Sequence, residues 1–198
     1  IPKEFWAISM NLLNEDKISI LFTLLRKKSD PLLSEMEARN IERIIENNTL
    51  RISEVIKKLD IPIIHISTDY VFDGKSSVPL IEDAIPSPVN IYGKSKLKGE
   101  KACQKNDPNC IIIRTSWVYS SFGNNFVKTM CSLMQKKDSL NIVNDQFGSP
   151  TYAKDLAETI IEIINFKDWI AGLYHYSNEG EISWFDFAKS IKKIEKRL

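Results

Sequence analysis

A tyrosine stands four residues before a lysine in the segment Tyr92-Gly93-Lys94-Ser95-Lys96. On a helix, residues four apart lie one turn apart on the same face. A tyrosine with its ordinary pKa of about 10 is a poor proton donor or acceptor at neutral pH. A neighbouring lysine ammonium stabilises the phenolate and lowers that pKa, which suits general acid catalysis on a carbonyl that is receiving a hydride. Because both residue types are common on surfaces, the spacing alone indicates this chemistry only weakly.

Polar and aromatic residues follow two apolar runs that predict buried strands. The run Ile61–Ser67 leads directly into Thr68, and the run Cys110–Thr115 leads into Trp117 and then Asn125. Ligands of open α/β sheets bind outside the carboxyl ends of the strands. We therefore expect hydroxyl, aromatic and amide groups at one edge of the sheet, with Thr68 placed to hydrogen-bond a substrate carbonyl.

Helical and strand patterns alternate along the rest of the chain. Ser87 and Pro88 predict a helix start, with Ser87 as the N-cap, and that helix continues through Tyr92 and Lys96 to about Lys105. The other predicted helices are Phe126–Gln135, Asp155–Asn165 and Trp184–Arg197, and the other predicted strands are Leu140–Val143 and Gly172–Tyr176. Such alternation predicts βαβ units and a mainly parallel sheet, which is the α/β class.

The N-terminal part of the chain differs from the rest. Residues 1–48 predict a helical region of unclear relation to the fold, whereas residues 49–198 predict a partial α/β domain. The first glycine in the chain is Gly74, so a glycine-rich loop that cradles phosphate is absent from the preceding residues. Residues 1–73 therefore cannot supply a loop of this kind.

Composition excludes several classes of protein. The chain has 27 Lys and Arg against 26 Asp and Glu, so its net charge of +1 gives no reason to expect nucleic acid or a membrane as partner. Its three cysteines show no metal-ligand spacing, which indicates thiols in a reducing cytoplasm. Asp145 and Asp155 lack a second ligand at metal-binding spacing, so we expect no metal site.

Several longer blocks together resemble one family. The blocks occur in one order through most of the chain after residue 60, and they are Ser67–Gly74, Pro88–Glu100, Arg114–Tyr119, Gly123–Phe126, Asn144–Thr151 and Gly172–Ser177. This set is similar to the dTDP-4-dehydrorhamnose reductases, which are extended short-chain dehydrogenases/reductases. The resemblance implies a Rossmann-like, doubly wound parallel sheet with a small substrate-binding lobe, formed by segments of about 117–152 and 170–198.

The resemblance also implies an activity, which is reduction of the C4 keto group of dTDP-4-dehydro-L-rhamnose to dTDP-L-rhamnose by NADPH or NADH. In that interpretation Tyr92 donates the proton, Lys96 lowers the tyrosine pKa and holds the nicotinamide ribose, and Thr68 orients the keto oxygen. The remaining implied roles are cofactor contact for Ile66, sugar-nucleotide contact for Asp69 and Trp117, and substrate positioning for Asn125 and Gln146. The expected partners are the dTDP sugar and a second copy of the chain in a homodimer.

Some alternatives stay open at this point. Asn125 could equally cap a loop, and Gln146 could equally hold the turn that ends in Gly148 and Pro150. Trp184 is expected to be a core or lid residue. We interpret the missing glycine loop as incompleteness or fragmentation of the chain, rather than as loss of cofactor binding. The rival functions are a nucleotide-sugar epimerase or dehydratase, which shares the Tyr-Lys pair, and a non-catalytic binding or regulatory relative.

Overall fold

The computed structural model describes residues 63–195. The helical region predicted for residues 1–48, the helix predicted directly before Asp60 and the last residues of the C-terminal helix lie outside this range. The described residues form two compact units, each treated separately below. The sheet unit comprises residues 63–69, 80–84 and 109–195, and the helix unit comprises residues 70–79 and 85–108.

A three-stranded parallel sheet is the centre of the sheet unit. Its strands are β1 (Ile64–Thr68), β2 (Ile111–Thr115) and β6 (Gly172–Tyr176), in the order β1-β2-β6. The middle strand β2 is buried at every position, as its β-branched Ile-Ile-Ile sequence predicts for a strand covered on both faces. The parallel sheet confirms the predicted α/β class.

Helices and short strands complete the sheet unit. The helices are α2 (Phe126–Lys136), α3 (Ala153–Asn165) and α4 (Trp184–Glu195). Two short ladders join β3 (Val118–Tyr119) in parallel to β5 (Thr151–Tyr152), and β4 (Phe147–Gly148) antiparallel to β7 (Ile182–Ser183). Strands of two residues show no period in the sequence, which explains why these four were not predicted.

Two apolar clusters hold the sheet unit together. In the first, Ile111 and Ile113 of β2 pack against Leu156 of α3. In the second, Met130 of α2 packs against Ala188 and Ile191 of α4. Burying one such aliphatic side chain contributes roughly 1.5–3 kcal/mol relative to leaving it exposed. The small substrate-binding lobe that the family resemblance implies stays a prediction.

The prediction of a strand over Leu140–Val143 is wrong. Leu140 and Ile142 do pack against the second cluster, but their backbone belongs to no ladder. Val143 instead accepts a backbone hydrogen bond from Phe185 of α4, at 3.1 Å. The alternating apolar pattern here reflects side chains that cover a pair of helices, and the strand pairing begins four residues later at Phe147.

The segment Leu80–Ala84 lies along the side of β6 that faces away from β2. The backbone N–H of His175 donates to Glu82 Oε1 at 3.0 Å, and the imidazole Nδ1 of His175 lies 3.1 Å from the Leu80 carbonyl oxygen. Since a carbonyl only accepts, that nitrogen carries the hydrogen. The buried Arg114 of β2 donates from Nη1 to the carbonyl oxygen of Glu82 at 3.3 Å, which holds the segment in place.

The helix unit is built around α1 (Ile91–Asn106), preceded by a 3-10 turn, Asp69–Val71, that the two units share. The predicted start of α1 at Ser87 is wrong, because the N-cap is Asn90, whose side chain accepts from the Gly93 N–H at 2.7 Å. Ser87 is held in a loop by its N–H, which donates to the Val71 carbonyl oxygen at 2.9 Å.

Candidate functional site

The carboxyl ends of the three parallel strands lie side by side in the sheet unit. Thr68, Thr115 and Tyr176 are partners in the ladders, so all three strands end at the same level. Neighbouring strands lie about 4.8 Å apart, which places the residues after each strand within reach of one small ligand. The sheet therefore brings Asp69, Ser116 and Ser177 to one edge.

Thr68 and Asp69 interact directly at this edge. The buried Thr68 donates from Oγ1 to Asp69 Oδ1 at 3.0 Å. An ionised carboxylate only accepts hydrogen bonds, so the hydroxyl proton of Thr68 is directed at Asp69. The Thr68 hydroxyl would have to rotate away from Asp69 to donate to any other acceptor.

Tyr92 and Lys96 lie one turn apart in the first half of α1. The Tyr92 ring packs edge-on against Tyr70, with ring centroids 5.8 Å apart and planes at 71°. Its carbonyl oxygen accepts from Ser95 Oγ at 2.8 Å. A Cβ added to Gly93 would lie only 2.0 Å from the Tyr70 carbonyl oxygen, so only glycine allows this close approach. The first turn of α1 is thereby fixed against the segment that directly follows Asp69.

The ammonium group of Lys96 is in an unfavourable environment for its charge. Burial lowers the pKa of Lys96 below its ordinary value, while Glu100 and Cys103 partly oppose this by favouring the charged form. Glu100 is itself buried and stands four residues further along the same helix. A lysine with a lowered pKa gives up its proton more readily than an ordinary lysine.

This lowered pKa predicts a pH dependence of stability. When the chain unfolds, Lys96 regains its ordinary pKa of 10.5. Between the two pKa values the unfolded chain binds more protons, so the Lys96 contribution to the free energy of unfolding rises with pH across this interval. We expect the Lys96→Met variant to lack this rise, which urea unfolding at a series of alkaline pH values would measure. Parallel pH profiles for the two proteins would contradict the prediction.

Trp117 lies in an unusual conformation just beyond β2. Its backbone φ is 46°, in the left-handed region that non-glycine residues rarely adopt. Its indole stacks on that of Trp184 with centroids 3.5 Å apart and planes 10° apart, and Gly148 approaches the same indole closely. Trp184, expected only as a core or lid residue, also contacts Phe126 of α2. Backbone strain of this kind clusters at functional sites, so Trp117 is a candidate functional residue.

Asn125 acts as a capping residue in this structure. Its Oδ1 accepts from the Lys128 N–H at 3.2 Å as the N-cap of α2, and its Nδ2 donates to the Ser120 carbonyl oxygen at 2.7 Å. The capping alternative raised from the sequence therefore accounts for both ends of the amide. A substrate-positioning role for Asn125 stays a prediction.

Substitution of Asn125 separates the two roles. Asn125→Ala removes the cap and should lower the free energy of unfolding by about 0.5–2 kcal/mol, measured by urea unfolding. Asn125→Ser keeps an N-cap oxygen and should recover most of that loss. If Asn125→Ser restores stability but still binds sugar nucleotide poorly, the amide has a role in binding beyond capping.

The other two predicted site residues, Gln146 and Ile66, make contacts that give no direct indication of a role in binding. Gln146 is exposed, and its carbonyl oxygen accepts from the Trp184 N–H at 3.4 Å, consistent with the alternative that it holds the turn. Ile66 packs against the cluster around Ile111. Two residues that sequence reasoning missed, Gly148 and Trp184, touch Trp117 directly. Nothing in the sequence indicates their proximity, because Trp184 is far from Trp117 along the chain.

Residues 63–195 contain neither a membrane-spanning helix nor a metal-binding cluster. Every helix in that range is too short or too polar to cross a bilayer. His, Cys, Asp and Glu side chains in the same range form no group of three that could hold a metal ion. The three cysteines are thiols, with Cys103 and Cys110 buried.

Known proteins are similar to this chain in both sequence and structure. The model of the family described as RmlD substrate binding domain matches residues 30–197. The dTDP-4-dehydrorhamnose reductase of Sinorhizobium fredii is 44% identical over 148 residues, which are 72% of this chain and 50% of that protein. The chain thus spans about half the length of the curated relatives that it matches.

Solved structures agree with this assignment. The crystal structure of dTDP-4-dehydrorhamnose reductase from Bacillus anthracis in complex with NADP aligns with a TM-score of 0.71 and 40% identity, over 75% of this chain and 52% of that one. UDP-glucuronic acid 4-epimerase from Bacillus cereus in complex with NAD aligns with a TM-score of 0.65 and 27% identity, over 75% and 51%. The resemblance drawn from the sequence blocks is confirmed. With the family model covering most of its 198 residues, the chain belongs to the RmlD substrate binding domain family and has a Rossmann-type α/β fold.

Proposed function

We propose that this chain carries the catalytic and substrate-binding part of an NADPH-dependent dTDP-4-dehydrorhamnose reductase. The reaction converts the C4 keto group of dTDP-4-dehydro-L-rhamnose into the hydroxyl group of dTDP-L-rhamnose. The observation that carries the proposal is the placement of Tyr92 and Lys96 one turn apart on α1, in a chain that is 44% identical to a reductase of this name over 148 residues. The relative of known structure that binds NADP supports the choice of cofactor.

Each proposed catalytic residue has a defined part in this scheme. Tyr92 donates its phenolic proton to the C4 oxygen as that carbon is reduced. The Lys96 ammonium stabilises the phenolate left on Tyr92, and its lowered pKa favours return of a proton to that oxygen. Thr68 turns its hydroxyl from Asp69 to the keto oxygen and orients it. In the sheet unit, Asp69, Trp117, Asn125 and Gln146 are the proposed contacts for the sugar nucleotide.

The residues present fit one part of the cofactor. NADPH, when bound, supplies the hydride for the C4 carbon. Lys96 and Tyr92 offer ammonium and hydroxyl donors on one helix face, which suits the hydroxyl groups of the nicotinamide ribose. Ile66 offers only apolar contact, since its side chain packs with the core of the sheet unit. The glycine loop that would hold the pyrophosphate is not among these residues, because no glycine precedes Gly74.

The rival functions predict different results in one set of assays. An epimerase would interconvert sugar nucleotides without net consumption of NADPH, and a non-catalytic relative would bind the sugar nucleotide without turnover. The greater identity to the reductase, 40% against 27% for the epimerase, favours reduction. We expect the folded chain to bind dTDP-L-rhamnose in isothermal titration calorimetry and to oxidise NADPH when dTDP-4-dehydro-L-rhamnose is added. A folded chain that does neither would refute the proposal.

A cytoplasmic location and a homodimer are further parts of the proposal. Thiols rather than disulfides, two of them buried, are the usual state in a reducing compartment. Sedimentation velocity of the purified chain would test the homodimer directly.

A further inference from the structure

We propose that the outer face of α1 docks an acidic helix of a partner protein. The contact surface is a row of exposed lysines along about three turns of α1. This row is called the lysine stripe below, and its members are Lys94, Lys98, Lys101 and Lys105. The interaction goes beyond the proposed reduction, because none of these four side chains is among those proposed to hold the substrate or to move a proton.

The four lysines occupy a narrow strip of the helix surface. They follow one another at intervals of four, three and four residues. At about 100° per residue they fall within an arc of about 60°. With a rise of about 1.5 Å per residue, the lysine stripe is about 16 Å long. All four side chains are exposed, whereas Gly99 and Cys103 on the far side of the helix are buried.

Acidic residues of α1 do not balance the charge of the lysine stripe. The helix holds five lysines and one acidic residue, Glu100, which is buried. Among residues 63–195, Lys94, Lys101 and Lys105 form no ion pair, whereas exposed lysines of α3 and α4 each pair with a carboxylate of their own helix. Like charges at these intervals destabilise a helix. A partner with carboxylates would remove that repulsion.

The lysine stripe faces away from the proposed catalytic pair. Tyr92 and Lys96 lie about half a turn round the helix from the middle of the lysine stripe, at about 100° per residue. A partner helix on the lysine stripe would therefore leave the face that carries Tyr92 and Lys96 uncovered. Docking and substrate binding can thus be measured independently of each other.

The residue types on this face favour a protein over a nucleic acid. Surfaces that bind nucleic acid usually add arginine, or aromatic rings on which bases stack. The helix α1 contains no arginine, and its aromatic residue, Tyr92, lies on the other side. The net charge of the chain is only +1, which gives little long-range attraction for a polyanion.

A membrane surface also fits the lysine stripe poorly. Helices that lie in a membrane surface carry large apolar side chains on the face next to the basic one. Ile91 and Leu97, which flank the lysine stripe, are half-buried, and residues 91–106 present no exposed large apolar side chain. The helix α1 therefore has no apolar face to insert among lipids.

An acidic helix matches the lysine stripe in both charge and spacing. Carboxylates on such a helix can repeat at the same intervals of four, three and four residues, so that one carboxylate lies opposite each lysine. Oppositely charged side chains set the choice of partner between paired helices in the same way. A second copy of α1 in this position would bring like charges together, so the partner is a different helix.

A peptide with this spacing tests the surface. The probe is a labelled, alanine-rich helical peptide of about 20 residues with four glutamates at the intervals of the lysine stripe. A second peptide has the same composition, with its glutamates spread round the helix. We expect the folded chain to bind the first peptide in fluorescence anisotropy, with an affinity that falls as salt is added. The second should bind about threefold or more weakly. Equal binding of the two peptides, or no binding, would overturn the inference.

Charge reversal separates docking from folding. The Lys94→Glu/Lys101→Glu variant should bind the first peptide about tenfold or more weakly, because two attractive contacts become repulsive. It should be at least as stable as the unaltered chain in urea unfolding, because each new glutamate stands four residues before a lysine. The matched control is Lys192→Glu/Lys193→Glu, which changes the net charge equally at two exposed lysines of α4. The control should bind the peptide as the unaltered chain does.

Three further results would count against an acidic partner helix. A marked loss of stability in Lys94→Glu/Lys101→Glu would show that acidic residues of the same chain already pair with these lysines. Tighter binding of an oligothymidylate or of phosphatidylserine vesicles than of the peptide, lost in the same variant, would assign the lysine stripe to nucleic acid or to a membrane. Binding of dTDP-L-rhamnose should be the same in this variant and in the unaltered chain, and a matching loss would mean that the substitutions disturb α1 as a whole. Each of these results would overturn the inference.

Discussion

Replacing Tyr92 by phenylalanine is expected to reduce turnover of dTDP-4-dehydro-L-rhamnose by about 10²- to 10⁴-fold, the usual contribution of a positioned general acid. The change removes one hydroxyl group and keeps the ring, so the edge-on contact with Tyr70 at 5.8 Å is preserved. Binding of dTDP-L-rhamnose should change little, because the hydroxyl is needed for proton transfer and not for holding the ground state. Steady-state NADPH oxidation and calorimetry together measure the two effects.

Tyr70→Phe is the matched control for this experiment. Tyr70 contacts the same ring and is more exposed than Tyr92, so loss of its hydroxyl should leave turnover nearly unchanged. Retained turnover in Tyr92→Phe would remove Tyr92 from the proposed role. Equal loss in both variants would point to disturbance of the shared contact instead of loss of the proton donor.

The Gly93→Ala variant is expected to be the most destabilised of the single substitutions considered. A methyl group there would lie 2.0 Å from the Tyr70 carbonyl oxygen and 2.8 Å from the carbonyl carbon, both of them backbone atoms that cannot rotate away. Alanine is normally favoured over glycine in a helix by about 1 kcal/mol. Overpacking in a rigid environment costs about 1–3 kcal/mol and sometimes more, so the steric term should prevail. Urea unfolding would measure the net loss.

Lys94→Ala is the matched control for Gly93→Ala. Lys94 is exposed and stands next to Gly93 in the same helix, so its replacement tests a nearby change without the steric conflict. We expect its free energy of unfolding to stay within about 0.5 kcal/mol of the unaltered chain. A Gly93→Ala variant as stable as Lys94→Ala would show that Tyr70 moves away at little cost.

The sequence predicted best those parts of the fold in which many residues repeat one signal. The β2 strand, with its run of isoleucines, was predicted to within one residue, and α2 was predicted from Phe126 onward. The start of α1 was missed because Ser87-Pro88 and Asn90 are both acceptable helix starts. In the structure Asn90 caps the helix through its side chain, and the N–H of Ser87 bonds to the Val71 carbonyl oxygen. That contact joins residues far enough apart that local pattern cannot show it.

In the candidate site, too, some contacts could be predicted from the sequence and others could not. Tyr92 and Lys96 could be paired from sequence, because helix geometry fixes a spacing of four residues. The stacking of Trp117 on Trp184 could not, since it depends on a left-handed backbone at a residue type that rarely adopts one. Asn125 illustrates a third case, in which one residue type serves equally well as a cap or as a ligand contact. Only the hydrogen bonds of its amide show that capping occupies it here.

The segment Leu80–Ala84, which lies along β6, affects how readily the protein aggregates. Outer strands of a sheet present unsatisfied backbone groups that can pair with another chain and so begin aggregation. In this protein the Glu82 carboxylate already occupies the N–H of His175. That N–H is the chief cause of the lowered pKa of Glu82, so the carboxylate keeps its charge below the ordinary value of 4.5 and loses it only as the pH falls through the lowered pKa. At neutral pH the charged Glu82 carboxylate therefore protects β6 from pairing with another molecule. In strong acid Glu82 loses its charge, and β6 becomes open to self-association.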